Sequence, residues 1–292
     1  MVFYSVEQLL SEAKKQDLPL WKLVLNNSAG ESGISPDVSW EMMKQRLDAM
    51  RRADASYDPQ QRSQSGLSGG AADRMRLHYE NGRSICGEFI GKVLSAALRM
   101  GECNACMHRI VAAPTAGACG VLPAVLLPYG EKFGCGDEEL IRALYVSAGF
   151  GAVIAQRASI SGAEAGCQAE IGSASAMAAA ALVYLHGGDN EQMAAAVAIA
   201  LKNMMGLVCD PVAGLVEVPC VKRNAAGAMN ALTAAELALA GIGSHIPADE
   251  VIDAMRAVGE AMPAALRETG RGGIAASPTA QAFREQFFGK GK

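Results

Sequence analysis

Aromatic residues are scarce in this chain, at 5% of 292 residues, whereas glycine occurs 32 times. Long stretches consist of Ala, Gly, Ser and Met, so small side chains have to fill the interior. Small side chains let helix backbones approach closely, and closely packed helices are therefore the expected core. The content of 50% hydrophobic and 19% charged residues is ordinary for a globular protein of this size and excludes disorder over the whole length.

The sequence also lacks a large excess of one charge and a long apolar run. The net charge is -4 and no run of Lys or Arg occurs, so nucleic acid is not an expected partner. The longest apolar runs, such as residues 174–185, fall short of the roughly 18 residues of a membrane span. The first ten residues include Glu7 and no basic segment before an apolar run, which argues against a secretory signal. We expect a cytoplasmic protein without a membrane partner.

Runs of alternating β-branched residues are nearly absent, so the pattern predicts an all-α fold with glycine-rich breaks between helices. Residues 1–57 are predicted to be an N-terminal helical segment, with a helix opening at Ser35-Pro36-Asp37. Residues 58–72, rich in Ser, Gln and Gly, are predicted to be a loop or junction. Residues 73–292 form one continuous helical region, with a short extended piece allowed around 216–218. Helical segments are predicted at 87–100, 113–120, 138–155, 173–186, 192–205, 225–240 and 247–260.

Eight cysteines in a cytoplasmic chain do not indicate a disulfide framework, so these thiols are inert, catalytic or metal-bound. Cys103 and Cys106 form the one C-x-x-C pair, and the following His108 does not complete a zinc ligand set. The remaining isolated cysteines among Gly and Ala are typical of small buried hydrophobic residues: Cys86, Cys119 and Cys135.

Three other cysteines lie where glycine or proline interrupts a helical pattern. Cys167 belongs to SISGAEAGCQAEIG (159–172), and Cys209 and Cys220 belong to GLVCDPVAGLVEVPC (206–220). Such breaks let the backbone approach a bulky inorganic group. Their spacing matches no short ferredoxin-type run, so spacing alone leaves three inert buried thiols as an equal alternative.

These two segments, together with AAPTAGACGVLP (112–123) and GGIAASPT (272–279), resemble the alpha chain of iron-sulfur-dependent L-serine dehydratases. The likeness covers nearly the whole chain. It implies an all-helical catalytic fold in which residues 73–292 bind a [4Fe-4S] cluster through Cys167, Cys209 and Cys220. It also implies L-serine as the substrate, with dehydration and deamination to pyruvate and ammonia.

Two departures from the single-chain members of that family bear on partners. Those enzymes end in a cysteine that caps the fourth iron, whereas this sequence ends FFGKGK, and their Ser-His-Thr-type motif is absent, Ser244-His245-Ile246 being the nearest match. The resemblance therefore implies a separate beta chain and a hetero-oligomer.

The implied chemistry assigns roles to further residues. A cluster held by three cysteines leaves one iron open as a Lewis acid for the substrate hydroxyl, and a general base has to remove the α-proton. Glu164 and Glu170, near Cys167, are the candidate bases, although the sequence does not choose between them or exclude a partner group. The substrate carboxylate is expected to bind at a turn that is followed by a helix, and at an arginine beside Asn224. The residues of the turn are Thr115, Ala116, Gly117 and Gly120, and the arginine is Arg223. Residues 68–70 are a second candidate anion-binding loop.

Three rival interpretations remain at this stage. A pyridoxal-phosphate lyase would need a Schiff-base lysine, and neither Lys92 nor Lys202 has suitable surroundings. A cysteine desulfidase shares the Pro-Thr turn, so only a substrate screen separates the two activities. A non-catalytic iron-sulfur subunit is disfavoured, because electron carriers generally close all four iron positions with cysteine.

Overall fold

The computed structural model describes residues 3–289, and within this range the chain forms α-helices and no strand. The predicted all-α fold is confirmed. Residues 290–292, to which the prediction about the fourth iron refers, lie outside the described residues, as do residues 1–2. The helices are α1 Val6–Lys15, α2 Leu20–Ser32, α3 Pro36–Ala55, α4 Ala71–Glu80, α5 Gly87–Ala105, α6 Val121–Phe133, α7 Asp137–Arg157, α8 Gly162–Ala165, α9 Ser173–Leu185, α10 Asn190–Met204, α11 Cys220–Leu239, α12 Ala248–Ala261 and α13 Pro278–Gly289.

Helix starts follow the capping signals of the sequence. Ser35 caps α3 by accepting a hydrogen bond from the Val38 N–H, and Pro36 occupies the first helical position, where a missing N–H costs nothing. Asp189 caps α10 in the same way and exchanges hydrogen bonds with Gln192, which forms a capping box. These local signals fix where the helices begin.

The centre of the molecule is α9, whose sequence SASAMAAAALVYL is buried on all sides from Ser173 to Val183. Helices α7, α10 and α11 surround it. Glycines permit the close approach: a Cβ on Gly151 of α7 would lie 2.8 Å from the Met177 sulfur, and one on Gly227 of α11 would lie 2.9 Å from Ile171. A helix that is apolar all round has to be a core helix, and small residues allow four helices to meet there.

The structure corrects the sequence prediction at several places. Residues 113–120 are a turn with one short 3₁₀ segment, Ala116–Ala118, because the residue before a proline is kept out of the helical region. Residues 216–219 form turns instead of an extended piece. Four helices, α4, α6, α8 and α13, were not among the predicted segments, and α6 contains Pro128. No helix among residues 3–289 is long and apolar enough to cross a membrane.

Candidate functional site

The cysteine triad, Cys167, Cys209 and Cys220, lies at one side of the core. Cys167 follows α8, Cys209 lies in an isolated bridge, and Cys220 is the first residue of α11. All three side chains are buried, with exposures of 3%, 3% and 8%. Each thiolate would repel another member of the triad, which shows that residues distant in sequence are close in space. The breaks between helices bring the three thiols together.

The segment that carries Cys167 is held from two sides by Gln168. The Gln168 side chain donates to the Met255 carbonyl in α12 and accepts from the Gly206 N–H. Residues Gln168–Gly172 then form a π-helix, a distortion of helical geometry that is frequent at functional sites. Gln168 therefore joins the Cys167 segment to the loop that leads to Cys209.

A strap formed by residues 264–276 closes over the Cys209 loop. The Cys209 N–H donates to the Leu266 carbonyl at 2.8 Å, and the Glu268 N–H donates to the Cys209 carbonyl at 2.7 Å. Further along the strap, the Ile274 N–H donates to Asp210 Oδ2 at 2.8 Å. The strap thus fixes Cys209 from the C-terminal part of the chain.

Arg223 joins the Cys209 loop to α11. Its guanidinium donates to the Val208 carbonyl and to Asp210 Oδ1, at 2.8 and 2.9 Å. Asp210 is 3% exposed, so this ion pair is buried. The same guanidinium faces Cys167 and favours its thiolate. Two of its five N–H donors are thus used by the Cys209 loop.

Burial raises the pKa of every thiol in the triad. It raises the pKa of Cys167 to about 11, although Arg223 opposes the change, and that of Cys220 to about 12. The pKa of Cys209 is raised by burial and then by Cys167, Glu170 and Glu268. A metal that binds such thiols has to displace their protons, and it supplies the positive charge that the thiolates need.

Glu170 and Glu164, the two candidate bases, have different surroundings. A Cβ on Gly162 would lie 2.8 Å from Glu170 Oε2 and 3.0 Å from Cys209 Sγ, so the carboxyl group lies beside that thiol. Burial raises the pKa of Glu170. Glu164 is exposed, and its carboxylate accepts a hydrogen bond from the Ser159 hydroxyl. The structure brings Glu170, and not Glu164, to the triad.

The turn at residues 114–120 lies on the other side of Glu170. A Cβ on Gly117 would lie 3.4 Å from both Glu170 carboxyl oxygens. The Thr115 hydroxyl is buried and lies close enough to Glu170 to lower the pKa of that carboxyl group. Within residues 3–289 this hydroxyl forms no hydrogen bond. Glu170 therefore lies between this turn and the cysteine triad.

Asn224 of α11 holds the turn in place. Its side chain accepts from the Gly120 N–H and donates to the Gly117 carbonyl, both at 2.8 Å, and it also donates to the Cys220 carbonyl. Asn224 is 1% exposed. Gly120 has no room for a side chain, because a Cβ there would lie 2.8 Å from the Ala97 carbonyl oxygen. One buried amide thus couples the turn to the helix that begins with Cys220.

The predicted anion-binding loop at residues 68–70 already holds an anion of the protein. The Glu102 carboxylate accepts from the N–H groups of Gly69, Ala71 and Ala72 and from the Tyr57 hydroxyl. This occupation corrects the expectation that these N–H groups receive an external anion.

The same loop is fastened to the turn before Cys220. The hydroxyls of Ser63 and Ser65 donate to the buried Glu217 carboxylate, at 2.6 and 2.8 Å. Part of the predicted junction at 58–72 therefore supports the cysteine site.

The two cysteines of the C-x-x-C pair lie at the end of α5. Cys103 is buried in α5 and donates to the Ala53 carbonyl, and Cys106 ends that helix. Within residues 3–289 no group of three or more His, Cys, Asp or Glu side chains is arranged to bind a single metal ion. A surface groove of about 1140 Å³ between α1, α10 and the start of α12 contains none of the predicted site residues.

The fold and site define an all-helical protein in which three buried thiols, a half-buried carboxyl group and a polar turn share one site. The family described as serine dehydratase alpha chain matches residues 15–275, and the chain belongs to this family.

Full-length relatives agree with that assignment. The chain is 47% identical to the probable L-serine dehydratase alpha chain of Bacillus subtilis, over 99% of this chain and 96% of the relative. It is 41% identical to the L-serine dehydratase alpha chain of Peptoniphilus asaccharolyticus, over 98% and 99%. L-serine dehydratase 1 of Escherichia coli is 45% identical over 61% of this chain, which is 40% of that longer protein.

Several residues of the site were not predicted from the sequence. Asp210 and Glu217 lie within the 206–220 segment, but no role was predicted for them. An acidic residue close in sequence to a buried thiol could have indicated that both belong to the site. Glu268 is separated from the triad by dozens of residues, so only the folded chain shows that it lies near Cys209.

Proposed function

We propose that this chain is the cluster-bearing alpha chain of an L-serine dehydratase, which converts L-serine to pyruvate and ammonia. The observation that carries the proposal is the position of Glu170, between the cysteine triad and the 114–120 turn. The names of the full-length relatives support the same substrate.

The triad has the type of ligand that an iron-sulfur cluster needs. Three buried thiols lie near one another, and cysteine thiolates are the protein ligands that hold such clusters. A [4Fe-4S] cluster places iron and sulfide between its cysteine ligands, so those ligands do not have to meet at a point. We assign Cys167, Cys209 and Cys220 as its ligands, and with three ligands the bound cluster supplies an open iron as a Lewis acid for the substrate hydroxyl.

The 114–120 turn supplies donors for the substrate carboxylate. The N–H groups of Ala118 and Cys119 are used within the turn, and that of Gly120 is used by Asn224. Within residues 3–289, the N–H groups of Ala116 and Gly117 have no protein acceptor. Together with the Thr115 hydroxyl, these two groups form a small donor set of the kind that binds carboxylates.

This assignment refines the predicted binding residues. Thr115, Ala116 and Gly117 contact the carboxylate, while Gly120 holds the turn. Arg223 orients the Cys209 loop through the two donors that reach the Val208 carbonyl and Asp210.

The position of Glu170 supports a role as the general base. In serine the α-carbon carries the carboxylate and is bonded to the carbon that carries the hydroxyl. A substrate held at the turn by its carboxylate, with its hydroxyl toward the triad, presents the α-proton between these two points, where Glu170 lies. Burial raises the pKa of Glu170, which makes its carboxylate a stronger base than an exposed one. Loss of water gives aminoacrylate, which hydrolyses to pyruvate and ammonia.

A separate beta chain completes the enzyme in this proposal. The alpha-chain names of the full-length relatives imply an enzyme of more than one kind of subunit. The chain matches 40% of the Escherichia coli protein, so that longer chain contains further residues that this chain does not match.

The test is anaerobic purification of the chain together with any chain that co-purifies, followed by iron, sulfide and serine deaminase assays. We expect about four iron and four sulfide per chain and pyruvate formation from L-serine. Cys167→Ser should lose the cluster and the activity, whereas Cys135→Ser, a loop thiol outside the site, should keep both. Deamination by iron-free protein, or a full cluster in Cys167→Ser, would refute the proposal. A parallel assay with L-cysteine separates serine dehydration from desulfidation.

A further inference from the structure

Glu268 lies in the strap and has no role in the proposed mechanism. Its backbone has φ +60°, in the left-handed region that costs a residue with a side chain about 1 kcal/mol or more. Such a conformation persists only where the surroundings hold it, and here the Glu268 N–H donates to the Cys209 carbonyl at 2.7 Å. The strap therefore holds Glu268 directly beside the proposed cluster site.

The Glu268 carboxylate faces groups of its own charge. Its backbone contact with Cys209 brings Glu268 near the proposed base, because a Cβ on Gly162 would lie 3.0 Å from Cys209 Sγ and 2.8 Å from Glu170 Oε2. Burial raises the pKa of Glu170, and the Glu268 charge accordingly raises it further.

Within residues 3–289, the Glu268 carboxylate accepts no hydrogen bond and forms no ion pair. Two cations near the site are already engaged, since Arg223 is paired with Asp210 and Arg267 donates to the Glu164 carbonyl. Two neighbouring carboxylates without a cation of their own form a place for a positive charge.

The substrate of the proposed function brings that charge. An α-amino acid carries an ammonium group on the same carbon as its carboxylate. The ammonium nitrogen is bonded to the α-carbon. With the carboxylate at the 114–120 turn, the ammonium group therefore lies near Glu170. Glu268 is exposed and so stands at the solvent side of that position.

We infer that Glu268 binds the α-ammonium group of the substrate and thereby restricts the site to α-amino acids over 2-hydroxy acids. This inference rests on the proposed function for the position of the substrate, but it concerns recognition and not the elimination step. Glu170 remains the base, and Glu268 supplies the counter-charge on the opposite side of the ammonium group.

The test compares two ligands that differ only in this group and that lack the β-hydroxyl needed for turnover, L-alanine and L-lactate. Their dissociation constants are measured by ligand-observed NMR on the anaerobic holoenzyme, for the wild type and Glu268→Gln. We expect Glu268→Gln to weaken L-alanine binding about ten- to hundredfold, because it removes a charge-assisted hydrogen bond. L-lactate binding should stay within about twofold or become tighter, since a negative charge near an anionic ligand is removed.

The matched control is Glu285→Gln, which removes an exposed carboxylate from α13 in the same C-terminal part of the chain. It should leave both dissociation constants unchanged, and iron per chain should be equal in all three proteins. Equal weakening of both ligands in Glu268→Gln, or unaltered L-alanine binding, would overturn the inference. Because neither ligand is turned over, failure to deaminate serine would be seen separately and would count against the proposed function alone.

Discussion

At the scale of single residues, surroundings decide which of two similar carboxylates is suited to proton transfer. Glu164 and Glu170 are six residues apart and both lie close to Cys167 in sequence. Glu164 is exposed and already bound by Ser159, so its charge is stabilised by water and a hydroxyl. Burial raises the pKa of Glu170, which lies in contact range of Gly117 and Gly162. A half-buried carboxylate beside a binding turn has the basicity and the position that a general base needs.

Glu170→Gln should therefore lower kcat for serine deamination by about 10²- to 10⁴-fold, because the amide is nearly the same shape but does not accept the proton. Iron per chain should be unchanged, since Glu170 is not a proposed ligand. The measurement is pyruvate formation under anaerobic conditions. Glu164→Gln should lose less than about tenfold. A loss confined to Glu164→Gln would assign the base to Glu164 instead.

At the scale of elements, the turn at 114–120 is held by a helix from another part of the sequence. It follows a cis Ala113–Pro114 peptide bond, and the Gln168–Gly172 π-helix carrying Glu170 lies against it. Asn224 in α11 supplies three hydrogen bonds that tie the turn to Cys220. Substrate donors and cluster ligand are thus positioned by one buried side chain, and a change there affects both.

Asn224→Ala should lower the free energy of unfolding by about 2–4 kcal/mol, because the Gly120 N–H and the Gly117 carbonyl lose their partner in a buried place. It should also raise KM for serine, since the turn loses its support. Urea denaturation and steady-state kinetics measure the two effects. Asn81→Ala, which removes an exposed amide at the end of α4, should cost less than about 0.5 kcal/mol. Equal effects of the two variants would contradict the role given to Asn224.

At the scale of the whole molecule, the site depends on a core made of small residues. α9 begins directly after the π-helix that carries Glu170, and its alanines leave no space between α7, α10 and α11. A close-packed interior transmits a local volume change to its neighbours. The geometry of the site is therefore coupled to the packing of the centre.

Ala178→Leu in the middle of α9 should destabilise the protein by about 1–3 kcal/mol, because Ala178 is fully buried and the added atoms force the surrounding helices apart. The free energy of unfolding from urea titration measures this effect. Ala55→Leu, the same change at an exposed position at the end of α3, should stay within about 0.5 kcal/mol of the wild type. A neutral Ala178→Leu would show that the core has unfilled space.

The sequence by itself determined the fold class and most of the helices. Few aromatics, many small residues and clear caps such as Ser35-Pro36 indicate packed helices, because these signals act between residues that are near in sequence. The motifs around Cys167, Cys209 and Cys220 and the 112–123 segment were sufficient to predict the family. They did not separate Glu164 from Glu170, since burial is not a property of a short segment.

Only the tertiary structure decided how distant segments share the site. The contact between Glu170 and Gly117, the clamp of Asn224 and the approach of Glu268 to Cys209 each join residues that are dozens of positions apart. Glu102 likewise accepts hydrogen bonds from the N–H groups of Gly69, Ala71 and Ala72, so Gly69 of the predicted 68–70 anion-binding loop is already bound by a carboxylate of the protein. The physical reason is that charge compensation and hydrogen-bond satisfaction are settled by neighbours in space, and a sequence pattern specifies mainly neighbours along the chain.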